Sequence, residues 1–300
     1  MILVNQIIQG ILLGGYYALI ACGLSFMFGV MRIINLAHGA LAILAAYALF
    51  VLADQYALSP FVALIVVLPA IAAIGWALQR GVLERSAEGG VLTPILATFG
   101  LAIVIENLLF ERFGADTRSL APYVDTLSYD SWSVTEDIDI GKLAALILIA
   151  AIVELGGLQL LLSRTQIGRA IRATAEDADT AGLVGVDARF VKAVATAIAM
   201  VTVGVAGAAL ALRATFDPYA GPLQLIFAFE ATVIGGAGSL WGTLVGGVVL
   251  GVAQSLGAQI SPQGFFLAGH GVFLAIILAR VFISQETLRG RLPRFRRGAS

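Results

Sequence analysis

The chain has 300 residues, of which 59% are hydrophobic and 12% are charged. Soluble domains carry about 25% charged residues, so the polar surface is too small to cover a soluble globule. The net charge of −1 indicates no particular partner, and the single cysteine, Cys22, excludes an intrachain disulfide. The apolar start MILVNQIIQG lacks a basic flank and therefore favours a retained first span over a secretory signal.

Eight apolar segments have the length of about 20 residues that a bilayer-spanning helix needs. They are 6–28, 34–53, 60–79, 91–111, 142–162, 191–213, 239–258 and 265–283. A further stretch, 223–236, reaches only about 21 Å at ~1.5 Å per residue, whereas the hydrocarbon core is ~30 Å thick. We therefore predict one all-α polytopic membrane domain over 1–300, with eight or nine transmembrane helices and a broken or partial span near 223–236.

Lysine and arginine are enriched in cytoplasmic loops, so their positions predict the orientation. Lysine and arginine occur just after the third span, in and around the loop 163–190, and at high density in the tail 284–300. We therefore place all three segments in the cytoplasm. The acidic loop 112–141 and the N-terminus are then external, and the C-terminus is cytoplasmic. This orientation needs an odd number of crossings, so either 223–236 crosses or the set of spans is wrong. We interpret the basic tail as an anchor to anionic membrane lipid and expect no nucleic-acid partner.

The segment GVMRIINLAHGALA joins the first two spans and carries Arg32, Asn35 and His38 at i, i+3, i+6. This spacing predicts that the three side chains lie near one side of a helix. Polar groups at membrane depth tend to face the bundle interior or a cavity. Two interpretations stay open, a translocation pathway lined by His38 and an interfacial cluster satisfied by backbone groups.

Three acids, Glu106, Glu154 and Glu230, lie within or near apolar segments. Each could belong to the substrate path or make a structural hydrogen bond. Arg213 is the nearest basic residue to Glu230 along the chain, although the sequence gives no geometry for that pair. A secondary transporter that uses these acids as proton or cation sites is an alternative function.

Glycines recur every four residues in and just before the seventh apolar segment, 239–258, as in the G-x-x-x-G pattern that lets membrane helices approach closely. The two rows are Gly238, Gly242 and Gly246, and Gly247 and Gly251. They predict packing within the subunit, or packing at a moving or subunit interface.

The sequence contains no nucleotide-binding signature of the form G-x-x-x-x-G-K-[ST]. With only two histidines and one cysteine, it also contains no metal-binding signature. We expect no cofactor or metal on this chain. An intramembrane serine hydrolase using Ser239 and His270 is a further alternative, although serine in a glycine-rich membrane helix usually serves packing.

The charged stretch GRAIRATAEDADTAGLVGVD, residues 168–187, interrupts the apolar sequence and predicts a short cytoplasmic helix. Its alanines offer a small-residue surface that could fit a groove on a partner. These alanines are Ala170, Ala173, Ala178 and Ala181.

This stretch, together with GLSFMFGVMRIINLAHGALAILAAY and ATVIGGAGSLWGTLVGG, resembles three signature regions of the LivH-type permeases. These are membrane subunits of bacterial ABC importers for branched-chain amino acids, and the resemblance extends from about residue 10 to 280. It implies a transport subunit in the inner membrane and no enzymatic activity on this chain. The solute is left open among branched-chain amino acids, other amino acids, amides, urea and aromatic acids.

The resemblance also implies an assembly. A second, LivM-like permease or another copy of this chain would pair with it, two cytoplasmic ATPase subunits would bind ATP and Mg, and a periplasmic protein would deliver the substrate. The implied coupling residues are Gly168, Arg169, Ala170, Arg172, Ala173, Glu176, Asp177 and Gly182. The candidate translocation-path residues are Asn35, His38, Gly39, Glu230, Gly235, Gly236 and Gly238.

Overall fold

A computed structural model describes residues 2–90, 92–135 and 138–291. Within these ranges the chain is almost entirely helical, which confirms the all-α prediction. The helices are α1 Ile2–Met31, α2 His38–Tyr56, α3 Pro60–Leu78, α4 Glu84–Ala87, α5 Leu92–Phe113, α6 Lys142–Arg164, α7 Gln166–Glu176, α8 Ala178–Leu183, α9 Ala188–Arg213, α10 Gly221–Gly235, α11 Leu240–Ile260 and α12 Pro262–Arg291. The strands are β1 Ser131–Thr135 and β2 Ile138–Gly141.

Eight helical segments of the described chain are long and apolar enough to cross a membrane, and they correspond to the eight predicted spans. A π-helical turn, Gln79–Leu83, joins α3 to α4, so that the third span continues to Ala87. The second span begins at His38 rather than at residue 34 because residues 32–37 form a link outside the helices. Of the predicted tail, residues 284–291 continue α12, and 292–300 lie outside the described residues.

The loop 112–141 folds against one end of the bundle. Its strands β1 and β2 pair antiparallel, with Ser131 opposite Gly141, a hairpin that the sequence did not predict. The side-chain amide of Gln9, near the start of α1, donates to the carbonyl of Asp139 at 2.7 Å. The end of α9 lies at the same end, because the carbonyl of Ala211 accepts from the backbone N–H of Leu120 at 2.7 Å. We call this end of the bundle the hairpin end. The opposite end carries α7, and we call it the α7 end.

The short helix α10 corresponds to the predicted partial span. It follows α9, which finishes at the hairpin end, and it leads into Gly238, which packs against Gly29 near the last turn of α1. Because α1 runs from the hairpin end to the α7 end, residues 214–235 connect the two ends of the bundle. With α10 included, the described chain passes between these ends nine times, and the odd number that the predicted orientation needs is met.

Helices α1 and α9 lie antiparallel. The hydroxyl of Thr196, early in α9, reaches the sulfur of Met31 at the end of α1 at 3.7 Å. Each helix is followed by a link of six or seven residues outside the helices and then by α2 or α10, respectively. The helix after α2, α3, packs along α9, and the helix after α10, α11, packs along α1. Segments α1–α3 and α9–α11 therefore form an inverted repeat, an architecture common among transporters.

The two links fold alike. In the first, Oδ1 of Asn35 accepts from the backbone N–H of Ala37 at 3.0 Å. In the second, Oδ1 of Asp217 accepts from the backbone N–H of Tyr219 at 2.8 Å. The backbone carbonyls of these two turn residues, Asn35 and Asp217, also accept from the backbone N–H three residues later in the chain, at 3.2 Å in both links. Asn and Asp favour such Asx turns because their short side chains hydrogen-bond the nearby backbone.

A glycine lies four residues after each Asx-turn residue, and the two glycines meet. A Cβ atom on Gly39 would overlap the carbonyl oxygen of Gly221, and one on Gly221 would lie 2.9 Å from the backbone nitrogen of Ala40. The first turns of α2 and α10 therefore touch backbone to backbone. We call this contact the glycine crossing.

The predicted helical face of Arg32, Asn35 and His38 is wrong. Arg32 adopts φ +54°, in the left-handed region, directly after α1 ends. Asn35 forms its Asx turn in the link, and His38 is the first residue of α2. The turn geometry takes precedence over the continuation of a helix because the Asn35 side chain satisfies the backbone locally.

The two glycine rows pack within the chain. Gly242 and Gly246 contact Gly235 and Ala231 of α10, and Gly247 and Gly251 contact residues of α1 such as Gly14. These close approaches confirm the prediction of packing within the subunit. The long helices α1 and α9 lie at the centre of the bundle, while α12 is mostly exposed.

Candidate functional site

Helix α7 is fixed against α6 at the α7 end. The hydroxyl of Thr165 accepts from the backbone N–H of Gly168 at 3.0 Å and thereby caps the helix. Gly168 itself is buried, and a Cβ atom there would overlap the carbonyl oxygen of Leu161. The inner face of α7 is completed by Ile171 and Thr174, which are buried. Gly168 therefore serves packing between helices and is not part of the exposed surface.

The other predicted coupling residues lie on the outer face of this loop. Ala170 is half-buried, and the rest are exposed, namely Arg169, Arg172, Ala173, Glu176, Asp177 and Gly182. The most exposed apolar side chains of the loop are Leu183, at 87%, and Val184, at 78%. Sequence reasoning did not single out this apolar pair, although its position between two glycines in a charged loop was a usable signal. We call the exposed residues of α7 and α8 together with this pair the coupling surface.

The prediction of one short helix over 168–187 is wrong, since α7 and α8 are separate helices. Asp177 lies between them with φ −154° and ψ 107°. Its carboxylate accepts from the backbone N–H groups of Asp179 and Thr180 at 3.0 and 3.1 Å. Hydrogen bonds from the hydroxyl and backbone N–H of Thr180 hold the pKa of the Asp177 carboxyl below its ordinary value. This capping starts α8 in a new direction.

The predicted small-residue surface is also wrong in part. Ala181 is buried, and Ala170 and Ala178 are half-buried, so that Ala173 alone of the four alanines is exposed. Because the helix is interrupted at Asp177, the spacing of the four alanines no longer places them on one continuous helical face. The exposed apolar surface of this loop comes mainly from Leu183 and Val184 instead.

The candidate path residues of the first link lie at the glycine crossing. The Nε2 atom of His38 hydrogen-bonds the carbonyl of Ile20 at 2.6 Å, and the side chains of His38 and Asn35 are 0% exposed. Within the described structure, Nδ1 of His38 and Nδ2 of Asn35 are buried without a hydrogen-bond partner. Each side chain also hydrogen-bonds a backbone group, His38 that of Ile20 and Asn35 that of Ala37, as the alternative of a cluster satisfied by backbone groups expects. Their role in a pathway stays a prediction.

The candidate path residues of α10 and the turn after it have clear structural contacts. Gly235 packs against Gly242, and Gly236 and Gly238 adopt φ +95° and +86° in the turn before α11. Positive φ is readily available to glycine alone among the common residues. Arg280 of α12 donates to the carbonyls of Val233 and Ile234 at 2.8 and 2.7 Å, and so satisfies the last turn of α10.

Glu230 pairs with His270, not with Arg213. Its Oε1 lies 2.5 Å from Nδ1 of His270, and its Oε2 is buried without a partner in the described structure. Ser239 caps α11 by accepting from the backbone N–H of Gly242 at 3.1 Å. Ser239 and His270 are therefore engaged with different partners, which does not support a serine–histidine catalytic pair.

The other two acids differ from each other. Both carboxylate oxygens of Glu154 are buried and lack a hydrogen-bond partner within the described residues. Glu106 lies on α5, with 9% of its surface exposed. No group of three histidine, cysteine, aspartate or glutamate residues in the described ranges could hold a metal ion.

Residues 6–282 match the family described as the branched-chain amino acid transport system permease component. The chain is 28% identical to the Pseudomonas aeruginosa protein named high-affinity branched-chain amino acid transport system permease protein BraD, over 92% of this chain and 93% of that protein. It is 27% identical to the Escherichia coli permease protein LivH, over 91% and 92%. The probable permease LivH of Methanocaldococcus jannaschii is 26% identical, over 95% and 92%.

No solved structure matches the chain. The family match covers nearly all of the described helices, including both halves of the inverted repeat and the coupling surface. This chain therefore belongs to the family of permease components of branched-chain amino acid transport systems.

Proposed function

We propose that this chain is the membrane-spanning permease subunit of an ATP-driven ABC importer that carries branched-chain or related amino acids across the bacterial inner membrane. The observation that carries the proposal is the inverted repeat of α1–α3 and α9–α11 in a member of this permease family. The chain is the transport subunit and not an enzyme, and ATP and Mg bind to partner subunits.

The inverted repeat supports alternating access. When one repeat rocks against the other about the glycine crossing, a path open toward the hairpin end closes as a path toward the α7 end opens. The crossing suits this role because its contact is between backbones, which carry no flexible side chain that could yield.

The partners follow from the two ends of the bundle. Two ATPase subunits bind at the α7 end through the coupling surfaces of this chain and of a second permease, which is a LivM-like subunit or another copy. A substrate-binding protein docks at the hairpin end. We place the hairpin end and the N-terminus outside and the α7 end and the C-terminus in the cytoplasm, since Arg169 and Arg172 are exposed on α7.

The first test is purification of the tagged chain from native membranes in mild detergent, followed by mass spectrometry. The proposal predicts recovery of an ATPase pair and a second permease, with ATP hydrolysis that rises when the loaded binding protein is added. Recovery of this chain alone, together with uptake in vesicles that needs an ion gradient and no ATP, would contradict it.

A secondary transporter is the second candidate, and Glu154 is the observation that favours it. A carboxylate whose two oxygens are buried and unpaired at membrane depth is a candidate proton or cation site. If this candidate is correct, Glu154→Gln abolishes uptake driven by a proton gradient. In the importer, the same variant leaves uptake strictly dependent on ATP.

A further inference from the structure

A cavity of about 260 Å³ lies at the hairpin end between α1, α6, the hairpin and the last residue of α9. We call it the hairpin-end cavity. Pockets for drug-sized ligands occupy about 300–1,000 Å³, so this volume suits a smaller molecule of amino-acid size. It was not predicted from the sequence, because α1, the hairpin with the adjoining α6, and the end of α9 are distant from one another along the chain.

The cation of this cavity is Arg213. Its guanidinium carbon lies 4.6 Å from the centre of the Tyr16 ring. Among the ion pairs and hydrogen bonds of the described residues, none involves the Arg213 side chain. The planar guanidinium therefore has its donors available, and it matches the two oxygens of a carboxylate.

The anion of this cavity is Asp130, which lies just before the hairpin. Its carboxylate accepts from the ammonium of Lys142 and from the backbone N–H of Ser131 at 3.1 Å. The hydrogen bond from Lys142 holds the pKa of Asp130 below its ordinary value, so this carboxyl is ionised at neutral pH. A carboxylate offers about four acceptor positions, which leaves room for a further donor.

Part of the remaining wall is aliphatic, and the rest carries polar side chains such as that of Gln9. Leu12 and Leu13 of α1 face the cavity, and Leu143 and Ile147 of α6 line it from the other helix. The unpaired guanidinium of Arg213, the carboxylate of Asp130 that also binds Lys142, and the aliphatic part of the wall are the three features that a zwitterion with a branched aliphatic side chain requires.

The cavity is also connected to the glycine crossing. The hydroxyl of Tyr16, whose ring lies under Arg213, donates to Oε1 of Gln224 at 2.5 Å. Gln224 lies in the first turn of α10, three residues after Gly221. Arg213 itself is the residue that precedes the second link. A molecule held by Arg213 therefore contacts the part of the second repeat that leads directly to the crossing.

We propose that the hairpin-end cavity binds a zwitterionic aliphatic amino acid, with its carboxylate on Arg213 and its ammonium on Asp130. The inference rests on the proposed function, and it names the residues that receive the substrate at the hairpin end before it passes the crossing.

The test is saturation-transfer difference NMR on the permease complex purified without its binding protein, with L-leucine as the probe. Arg213→Gln should weaken leucine binding at least tenfold, and Arg213→Lys should restore part of it. Asp130→Asn should remove the preference for leucine over 4-methylpentanoate, which lacks the ammonium. Arg112→Gln is the matched control, because Arg112 lies at the same end and stacks on Phe113 at 5.4 Å outside the cavity.

Equal leucine binding by the wild-type and Arg213→Gln complexes would overturn the inference, and so would an equal loss in Arg112→Gln. It would also be overturned if native mass spectrometry found a phospholipid that only Arg213→Gln releases, with no leucine signal in the wild type. ATP-driven leucine uptake by the wild-type complex, measured on the same preparation, separates the two claims. If uptake is present while Arg213→Gln binds leucine and transports it normally, the inference fails and the proposed function stands.

Discussion

The glycine crossing and the coupling surface are built in opposite ways. At the crossing, Gly39 and Gly221 bring two backbones together, and the neighbouring Asn35 and His38 side chains are fully buried. At the coupling surface, two short helices expose most of their residues, and Leu183 at the end of α8 and the following Val184 are both exposed. The crossing tolerates almost no added volume, whereas the coupling surface leaves apolar side chains exposed, as a contact with the proposed ATPase subunits requires. Substitutions at the first should therefore affect folding, and substitutions at the second should affect assembly.

The largest effect is expected at the crossing. Gly39→Ala forces a methyl group into the carbonyl of Gly221, and overpacking of this kind costs about 1–3 kcal/mol, occasionally more. Thermal unfolding in detergent should show this loss. Gly100→Ala, on an open face of α5 with nothing within 4 Å, is the control and should be neutral or stabilising by about 0.5–1 kcal/mol. Equal stability of the two variants would contradict the account of the crossing.

The coupling surface provides the contrasting variant. Leu183→Glu should leave the fold intact and release the ATPase subunits, because a buried leucine contributes about 1.5–3 kcal/mol to a contact. Copurification of the ATPases should fall at least tenfold. Ile260→Glu is the matched control, since Ile260 is equally exposed, at 87%, but ends α11 at the hairpin end. If the Leu183→Glu variant retains the ATPases, Leu183 does not contribute to the contact with them.

The paired acid between α10 and α12 provides a third variant. His270→Leu leaves the buried carboxylate of Glu230 without its partner and should destabilise the protein by about 1–3 kcal/mol. Glu230→Gln in the His270→Leu background should recover part of that loss, because a neutral amide costs less to bury than an unpaired charge. A double-mutant cycle in thermal unfolding measures the coupling. Strictly additive effects would mean that the pair contributes nothing.

The smallest effect is expected at the cap of α8. Asp177→Ala removes the hydrogen bonds to Asp179 and Thr180 and should speed amide hydrogen exchange there without changing global stability. Because the folded pKa of Asp177 is lowered, the cap is complete above the carboxyl's ordinary pKa and weakens as the pH falls through the folded value. Asp179→Ala, a change to the adjacent carboxylate, should leave this pH dependence in place. Exchange at Thr180 that is identical in the wild type and Asp177→Ala would contradict the capping role.

The spans were predictable because each is a long apolar segment whose helical state depends on local composition. Even the partial span was visible, since 223–236 is too short and ends in glycines. The glycine crossing was not predicted, because it joins residues 182 positions apart along the chain. A signal was nevertheless present: NLAHG at 35–39 and DPYAG at 217–221 both place an Asx-turn residue four positions before a glycine.

The candidate site was less predictable for a similar reason. Most of the exposed coupling residues could be read from the charged loop, but Gly168 and Ala181 face inward because packing against neighbouring helices decides their orientation. The prediction that Arg32, Asn35 and His38 share a helical face was wrong because a local turn replaces the helix there. Arg213 lines a cavity only because α9 packs against α1 and because the hairpin and α6 lie close to both, and the sequence of α9 alone does not show these contacts.

The most direct test of the central claim is uptake of labelled L-leucine into vesicles that contain the complex purified from native membranes and its loaded binding protein. The account predicts uptake that requires ATP, continues when ionophores collapse all ion gradients, and is lost in Leu183→Glu. Uptake that proceeds without ATP and stops when a proton or sodium gradient is collapsed would contradict it and would make Glu154 the first residue to examine.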